Sequence, residues 1–243
     1  MARIDVLSIG NSFSEDAQRY LHSLAKHEGD NIQTVNLYIG GCPLDRHFRN
    51  MMGDEKAYDL HINGQSGLGF KMSIKEALLA RNWDYITLQQ ASHFSYKTET
   101  YFPYIERLAA YVREYAPGAK LLVHQTWAYS SGSERIAAHG FENYDEMFEL
   151  VEKAYRTAAN KINADGILRS GEAVGIALKN GLQSAHRDTF HLSLGVGRFI
   201  ASLGWYKYMT GKDISSVSFN SFDSPVTPEE YKIAIDSVNE MKM

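Results

Sequence analysis

An apolar, β-branched run near the start of the chain reads IDVLSI over residues 4–9 and leads directly into Gly10, Asn11 and Ser12. Such a run, closed by a glycine and a small polar residue, is typical of a buried strand that turns sharply into a helix. The turn would lift the Ser12 side chain out of the sheet and place it at the positive end of the following helix. The stretch therefore predicts an α/β fold that presents a serine hydroxyl at the end of its first strand.

The rest of the chain alternates short apolar runs with longer amphipathic stripes, which is typical of βαβ units on a parallel sheet. The runs predict five strands, over residues 5–9, 33–38, 85–89, 121–125 and 166–169. Three further segments have apolar residues spaced to form one face of a helix. The first contains Ile105, Leu108, Val112 and Tyr115; the second contains Tyr144, Phe148, Val151, Tyr155, Ala158 and Ile162; the third contains Tyr231, Ala234, Ile235 and Val238. We expect a three-layer α/β/α sandwich with a central five-stranded parallel sheet, formed by residues 1–243 as a single domain.

Two local signals refine this expectation. Residues 227–230 read Thr-Pro-Glu-Glu, a capping box with proline at the first helical position, so the last helix should begin there. Residues 58–70 read as two short extended pieces around a glycine-rich turn, which predicts a hairpin insertion before the third parallel strand. Such a hairpin could form a wall of a ligand pocket, since open α/β sheets bind ligands beyond the carboxyl ends of their strands. A solvent-exposed hairpin without a ligand role fits the same pattern.

Ser12 needs partners before it can act as a nucleophile. A serine is inert until a base accepts its proton, and a histidine base needs a group that fixes its tautomer. Asp188 and His191 lie three residues apart, a spacing that places both side chains on one face of a turn or of an opening helix. Each of these residues also fits a structural role, Ser12 and Asp188 as helix caps and His191 as a first-turn residue.

The two motifs together, Gly-Asn-Ser at residues 10–12 and Asp-x-x-His at residues 188–191, resemble the SGNH (GDSL-type) hydrolase superfamily, with Gly-Asn-Ser in place of Gly-Asp-Ser. The resemblance implies a serine esterase in which Ser12 is the nucleophile, His191 is general base and then acid, and Asp188 orients the imidazole. It implies no cofactor. It also suggests small acyl groups, such as acetyl on a carbohydrate, without excluding lipid, thioester or aryl esters.

The middle of the chain supplies candidates for an oxyanion hole. Residues 36–41 resemble the second block of the superfamily, whose glycine N–H joins the oxyanion hole, and Gly41 aligns with that glycine. The third block, usually Gly-x-Asn, has no match after the third parallel strand. A glutamine amide can donate the same hydrogen bond, so Gln89 or Gln90 is the natural substitute. Gly40 and Gly41 otherwise suit a turn with positive φ, and the glutamines a strand end.

Four further residues are candidates for substrate contacts. Asn11 adjoins the nucleophile, His47 follows the second block, Trp127 follows the fourth strand, and His186 shortly precedes the Asp-x-x-His motif. Trp127 could stack on a sugar ring, although tryptophans commonly pack against the core with only their polar tip exposed. His186 could instead belong to a His-x-Asp-x-x-His metal cluster, but no other histidine or carboxylate has zinc-like spacing, so we expect no metal.

Composition and charge narrow the choice of partners. With 243 residues, 44% of them hydrophobic, the chain can bury a substantial core. Its formal net charge of −4, with both signs mixed throughout, argues against nucleic acid and anionic membranes as partners. Cys42 is the only cysteine, and the sequence shows neither an apolar signal region nor a membrane span. We therefore expect a cytoplasmic protein whose partner is a small-molecule ester.

Two alternatives from other functional classes remain open on these residues. A flavodoxin-type module would use residues 10–14 to hold a phosphate or flavin at a helix N-terminus. A catalytically silent SGNH-like protein would bind carbohydrate without turnover, since Asn11 and the missing Gly-x-Asn depart from the superfamily pattern. An enzyme could also pass its acyl group to a sugar hydroxyl rather than to water.

Overall fold

The structure is a computed structural model that describes residues 2–241. One sheet contains seven strands in the order β4-β3-β2-β1-β5-β6-β7. The strands are β1 (Ile4–Gly10), β2 (Ile32–Tyr38), β3 (Tyr58–Ile62), β4 (Lys71–Met72), β5 (Tyr85–Leu88), β6 (Lys120–Gln125) and β7 (Gly166–Arg169). Strands β2, β1, β5, β6 and β7 pair in parallel, whereas β3 and β4 pair antiparallel.

Helices cover the sheet on both faces, as the α/β/α expectation requires. α9 packs against α1, α2, α8 and α10, while α5 packs against α3 and α4, and α7 lies along β6. The bounds are α1 (Ser12–Gln18), α2 (Leu21–His27), α3 (Leu44–Met52), α4 (Ile74–Leu79), α5 (Tyr104–Tyr115), α6 (Glu134–Ala138), α7 (Tyr144–Lys161), α8 (Ser170–Lys179), α9 (Val196–Thr210) and α10 (Pro228–Glu240), with a short 3-10 helix at Thr98–Tyr101. Within residues 2–241, none of these helices combines the length and the apolarity needed to cross a bilayer.

The predicted three-layer fold is confirmed, and the sheet is wider than the five strands expected. The five parallel strands lie at the predicted positions with small shifts of their ends. Of the two additional strands, β3 lies within the predicted hairpin and pairs antiparallel with β2, with Leu60 opposite Leu37, whereas β4 lies just beyond residue 70 and pairs with β3. The insertion therefore extends the sheet at its edge.

The helical stripes read from the sequence coincide with α5, α7 and α10. In α7, Val151, Tyr155 and Ala158 are fully buried against the sheet. Burial of one apolar stripe is the main source of stability for such a helix, because isolated helices of this length are marginal in water.

Strand order places the start of α1 at a topological switch point. The connection from β1 leads to β2 on one side, whereas β5, β6 and β7 follow one another on the other side of β1. In open α/β sheets, the crevice at the carboxyl ends of the strands on either side of such a point is the usual ligand site. Residues 10–12 open into this crevice.

The predicted cap of the last helix is present, and its contribution can be measured. Thr227 Oγ1 accepts the Glu230 backbone N–H at 3.2 Å, and the Thr227 N–H donates to Glu230 Oε2 at 2.8 Å. We expect Thr227→Ala to lower the free energy of unfolding by about 1 kcal/mol in urea denaturation. Ser216→Ala, at an exposed turn position, serves as the control and should change it by less than about 0.5 kcal/mol. Equal effects of the two substitutions would contradict this role of the cap.

Candidate active site

The chain turns from β1 into α1 through a single residue, Asn11. Asn11 is extended (φ −150°, ψ −156°), and its Oδ1 accepts the Phe13 backbone N–H at 3.0 Å, which caps the helix. Gly10 is required before it because a Cβ at this position would lie 2.1 Å from Ser14 Oγ. Ser12 thus becomes the first residue of α1, with its half-buried side chain at the crevice.

Three side chains form a continuous hydrogen-bonded series at this turn. Ser12 Oγ lies 2.9 Å from His191 Nε2, and His191 Nδ1 lies 2.8 Å from Asp188 Oδ2. An ionised carboxylate can only accept, so the Nδ1 hydrogen points to Asp188 and Nε2 is left to accept the Ser12 hydroxyl hydrogen. The fold brings together residues that are 179 positions apart in the sequence. This is the arrangement of a nucleophile, a general base and an orienting acid.

Asp188 is held in its charged form. Its Oδ1 accepts the backbone N–H groups of Phe190 at 2.8 Å and of His191 at 2.7 Å. Partial burial raises the pKa of Asp188, but these N–H groups and the His191 imidazole outweigh burial and lower the pKa from 3.8 to about 2. The carboxylate therefore stays ionised near neutral pH.

A buried ion pair fastens the Asp-x-x-His turn to α1. The Arg187 N–H donates to the His191 carbonyl at 3.0 Å and closes the turn. Arg187 Nη1 donates to both carboxylate oxygens of Asp16 at 2.9 Å, and the Leu192 N–H donates to Asp16 Oδ2 at 3.0 Å. Arg198 Nε donates to the other oxygen at 2.8 Å. Because Asp16 lies one helical turn after Ser12, these bonds set the distance between Ser12 and the Asp-x-x-His turn.

A chain of buried hydrogen bonds runs beneath the β1–α1 turn. Trp205 Nε1 donates to Ser170 Oγ at 3.1 Å, Ser170 Oγ lies 3.0 Å from His124 Nε2, and His124 Nδ1 lies 2.7 Å from Gln89 Oε1. Burial lowers the pKa of His124 to about 3, so its ring is neutral. Because the Gln89 carbonyl oxygen can only accept, His124 donates its Nδ1 hydrogen to it, and Nε2 of the neutral ring accepts the Ser170 hydroxyl hydrogen.

Asn11 fixes the direction of this chain, because its Oδ1 accepts the Phe13 N–H. The Gln89 amide nitrogen donates to Asn11 Oδ1 at 2.7 Å, and Asn11 Nδ2 donates to the Cys42 carbonyl at 3.2 Å. An ionised aspartate could accept from Gln89 but could not donate to Cys42. Asparagine at this position therefore connects the nucleophile turn to the loop that carries Gly41.

Gly41 presents its backbone to the same cavity as Ser12. Its φ of +59° lies in the left-handed region that favours glycine. Within residues 2–241, no protein group accepts a hydrogen bond from the backbone N–H of Ser12 or of Gly41. Both N–H groups are thus free for a ligand oxygen, as the first N–H groups of a helix usually are.

Residues 5–237 match the family described as a domain of unknown function (DUF4886). The chain belongs to the DUF4886 family. A crystal structure of a DUF4886 family protein from Bacteroides uniformis is 32% identical, with 98% of this chain and 93% of that chain covered and a TM-score of 0.89. No curated protein matches this chain by sequence.

More distant solved structures share the fold of this DUF4886 protein. A candidate SGNH hydrolase from Slackia heliotrinireducens is 22% identical over 86% of this chain and 100% of that chain, with a TM-score of 0.59. Est24, a carbohydrate acetylesterase from Sinorhizobium meliloti, is 12% identical over 86% of this chain and 99% of that chain, with a TM-score of 0.52. The fold is therefore SGNH-like, as the two sequence motifs predict.

The cavity of the DUF4886 protein at Ser12 has a volume of about 310 Å³. Asn11, Gly40 and Gly41 line it together with Ser12 and His191. A larger cavity of about 780 Å³ lies at the β7 edge of the sheet, but its lining contains no serine, cysteine or histidine among the described residues. The smaller cavity is therefore the candidate active site, because its lining contains the serine and histidine side chains.

Neither glutamine proposed for the oxyanion hole lines this cavity. The Gln89 amide is used by Asn11 and His124 in the buried chain. Gln90 accepts the Leu44 backbone N–H at 3.0 Å and donates to the Thr100 carbonyl at 3.1 Å, and its side chain is fully buried. Both amides satisfy interior backbone and side-chain groups, which would otherwise be unpaired at a cost of roughly 1–3 kcal/mol each.

Two histidines proposed for substrate contacts lie in the interior. His47 Nδ1 is 2.9 Å from the Tyr58 hydroxyl beneath α3, and burial lowers the pKa of His47 to about 3. His186 Nε2 donates to the Ala128 carbonyl at 3.0 Å, and burial lowers its pKa to about 4. Both rings are neutral, and His186 joins two loops instead of facing a substrate. Within residues 2–241, no group of three or more potential metal ligands is present.

Trp127 does not line the cavity but packs against residues that do. It is completely buried and stacks on Phe13 with ring centres 4.4 Å apart. Its Nε1 donates to the Phe190 carbonyl at 2.8 Å. Trp127 therefore packs the residue after the nucleophile against the residue before the base, and no face remains for a sugar ring.

Seven cavity residues were not predicted from the sequence: Phe13, Tyr38, Ser92, His93, Tyr129, Arg135 and Phe190. Ser92, His93 and Tyr129 follow β5 and β6, so their position beyond strand ends was an available signal. No spacing pattern points to Arg135. The hairpin contributes no lining residue, but His61 of β3 stacks behind Tyr38 with ring centres 4.3 Å apart.

The Asp16 ion pairs predict a stability effect. We expect Asp16→Asn to lower the free energy of unfolding by roughly 3 kcal/mol, since Arg187 and Arg198 would lose a buried counter-charge. The control is Asp45→Asn, which breaks the exposed Asp45–Arg49 pair and should cost less than about 0.5 kcal/mol. Chemical denaturation of both variants gives the comparison, and a similarly small change for both would contradict the proposed role of Asp16.

The lowered pKa of Asp188 predicts a pH-dependent contribution to stability. A carboxyl with a depressed folded-state pKa contributes stability that is complete above its unfolded pKa of about 4 and is lost as the pH falls through its folded value. The folded value is about 2. The difference in free energy of unfolding between the wild type and Asp188→Asn should therefore be constant above that window and shrink within it. Denaturation curves across the acid range measure it, and a difference that persists at the lowest pH would refute this account.

Proposed function

We propose that this protein is a serine esterase that hydrolyses esters of small acyl groups, with acetyl esters of carbohydrates as the favoured class. The observation that carries the proposal is the 2.9 Å contact between Ser12 Oγ and His191 Nε2, with His191 oriented by Asp188. A cavity of about 310 Å³ suits a short acyl chain, since it lies at the small end of ligand pockets. The fold shared with a carbohydrate acetylesterase agrees with this choice.

Acyl transfer would proceed in two halves. His191 Nε2 removes the Ser12 hydroxyl proton while Oγ attacks the ester carbonyl carbon, and the resulting oxyanion accepts hydrogen bonds from the backbone N–H groups of Ser12 and Gly41. The imidazolium, stabilised by Asp188, then gives its proton to the departing alcohol oxygen, which leaves an acyl-serine. In the second half, His191 removes a proton from water, the resulting hydroxide attacks the acyl carbon, and Ser12 leaves with that proton.

Ser92 is the residue that we propose as a third oxyanion donor in place of the glutamines. The Tyr129 hydroxyl donates to Ser92 Oγ at 3.1 Å, so the hydroxyl hydrogen of Ser92 is free to point elsewhere. Ser92 lines the cavity with Ser12 and follows β5, where the third block of the superfamily is expected. A hydroxyl can supply the hydrogen bond that an asparagine or glutamine amide would supply.

The alternatives account for fewer of these contacts. A phosphate- or flavin-binding module would give no role to the hydrogen bonds that join Ser12 to His191 and His191 to Asp188. A silent carbohydrate-binding protein would have no use for a histidine oriented by an ionised carboxylate. Transfer of the acyl group to a sugar hydroxyl uses the same acyl-serine and is distinguished by its products.

The proposal is tested by hydrolysis of p-nitrophenyl acetate, butyrate and octanoate. We expect the acetate to be preferred and Ser12→Ala to lower kcat by on the order of 10³-fold, because the variant has no nucleophile. Ser216→Ala is the matched control and should retain the wild-type rate. Retention of activity in Ser12→Ala would remove Ser12 from the mechanism, and absence of turnover in the wild type would favour the binding-only alternatives.

A further inference from the structure

Arg135 of α6 is fixed at the rim of the cavity. Its Nε donates to Thr189 Oγ1 at 2.9 Å, inside the Asp-x-x-His turn. Its guanidinium carbon lies 4.0 Å from the ring centre of Phe190 and 5.7 Å from that of Tyr129. Phe190 and Tyr129 line the cavity together with Arg135. The guanidinium is therefore held against an aromatic wall beside the catalytic histidine, an arrangement that cation–π attraction stabilises.

The charge of Arg135 is not neutralised by the protein. Within residues 2–241, no carboxylate oxygen lies within 4.0 Å of its guanidinium, and no protein group accepts a hydrogen bond from its terminal nitrogens. Asp188, on the adjacent turn, is already committed to His191 and to two backbone N–H groups. Two terminal NH₂ groups of a pre-positioned guanidinium thus remain available to a ligand.

A second cation, Lys97, lies near the cavity residue His93. Lys97 lies over the rings of Tyr96 and Phe94, at 5.3 and 5.7 Å from their centres, without a carboxylate within ion-pair distance in the described part of the chain. Burial lowers the pKa of His93, a cavity residue, and the neighbouring His139, Lys97 and Arg135 lower it further, whereas Asp45 raises it. Two cationic side chains, Arg135 and Lys97, therefore lie near His93 in a chain whose net charge is −4.

We infer that the substrate ester carries an anionic group, a carboxylate or a phosphate, which Arg135 binds at the rim while Ser12 attacks the ester carbonyl. A guanidinium presents paired N–H donors that match both of these anions, and such charge-assisted hydrogen bonds are stronger than neutral ones. The inference rests on the proposed esterase function and names the substrate class for that same site. The anion could belong to the acyl group or to the alcohol, and substrate pairs distinguish these sources.

The experiment compares kcat/KM within two matched pairs of esters. The first pair places the charge on the acyl group, with mono-p-nitrophenyl succinate against p-nitrophenyl butyrate. The second pair places it on the alcohol, with 4-acetoxybenzoate against 4-acetoxybenzamide. We expect wild type to prefer the anionic member of one pair by about tenfold or more, the effect expected of one hydrogen bond to a charged group. Added salt should reduce this preference, because it screens an exposed charge.

Variants connect the preference to Arg135. We expect Arg135→Gln to bring the ratio of the two kcat/KM values close to one, and Arg135→Lys to retain part of the preference, since it keeps the charge without the planar fork. The control is Arg156→Gln on α7, whose arginine pairs with Glu152 at 3.7 Å, and it should leave the ratio unchanged. A ratio measured within one variant is insensitive to the fraction of protein that folds.

The kinetic results distinguish a failure of the proposed role of Arg135 from a failure of the proposed esterase function. Ser12-dependent hydrolysis of all esters with no anionic preference, or with a preference that survives Arg135→Gln, would overturn the role of Arg135 and leave the esterase intact. Absence of Ser12-dependent hydrolysis for every ester would overturn the proposed function, and the inference with it.

Discussion

The site depends first on the buried carboxylate of Asp16. Its side chain is completely withdrawn from water, which is tolerable only because Arg187, Arg198 and the Leu192 N–H share its charge. Asp16 lies one turn after Ser12 on α1, and Leu192 directly follows His191. The same ion pairs that stabilise the interior therefore hold the segment that carries His191 against the first helix, and keep Ser12 within hydrogen-bond distance of His191.

A second constraint is the one-way hydrogen-bond chain from Trp205 to Cys42. Its direction is set at the Asn11 end, where Oδ1 accepts the Phe13 N–H and Nδ2 donates to the Cys42 carbonyl, so the Gln89 amide and the His124 ring have one consistent orientation. This explains why asparagine stands where the SGNH pattern has aspartate, and why Gln89 is not available to an oxyanion. The two departures from the superfamily pattern, asparagine at position 11 and glutamine in place of the Gly-x-Asn block, are thus linked by the hydrogen bond between Gln89 and Asn11.

Much of the fold could be predicted because its signals are local. The stripe of α7 and the cap at Thr227 depend on spacings of a few residues, and the structure contains both. The width of the sheet was not predictable from the same signals. Residues 58–70 indicate a hairpin, but only packing decides whether a hairpin projects into solvent or, as here, pairs with β2.

The sequence by itself determined the strand-to-helix turn at Ser12 and the Asp-x-x-His turn, because each is specified by neighbouring residues through backbone geometry and capping. Only the tertiary structure decided which other side chains face the cavity. Trp127 and His47 are buried, whereas Ser92 and Arg135 reach the rim, because each orientation depends on segments that are distant in sequence and adjacent in space. Composition and spacing carry no information about those contacts, since they arise when the helices and loops pack around the completed sheet.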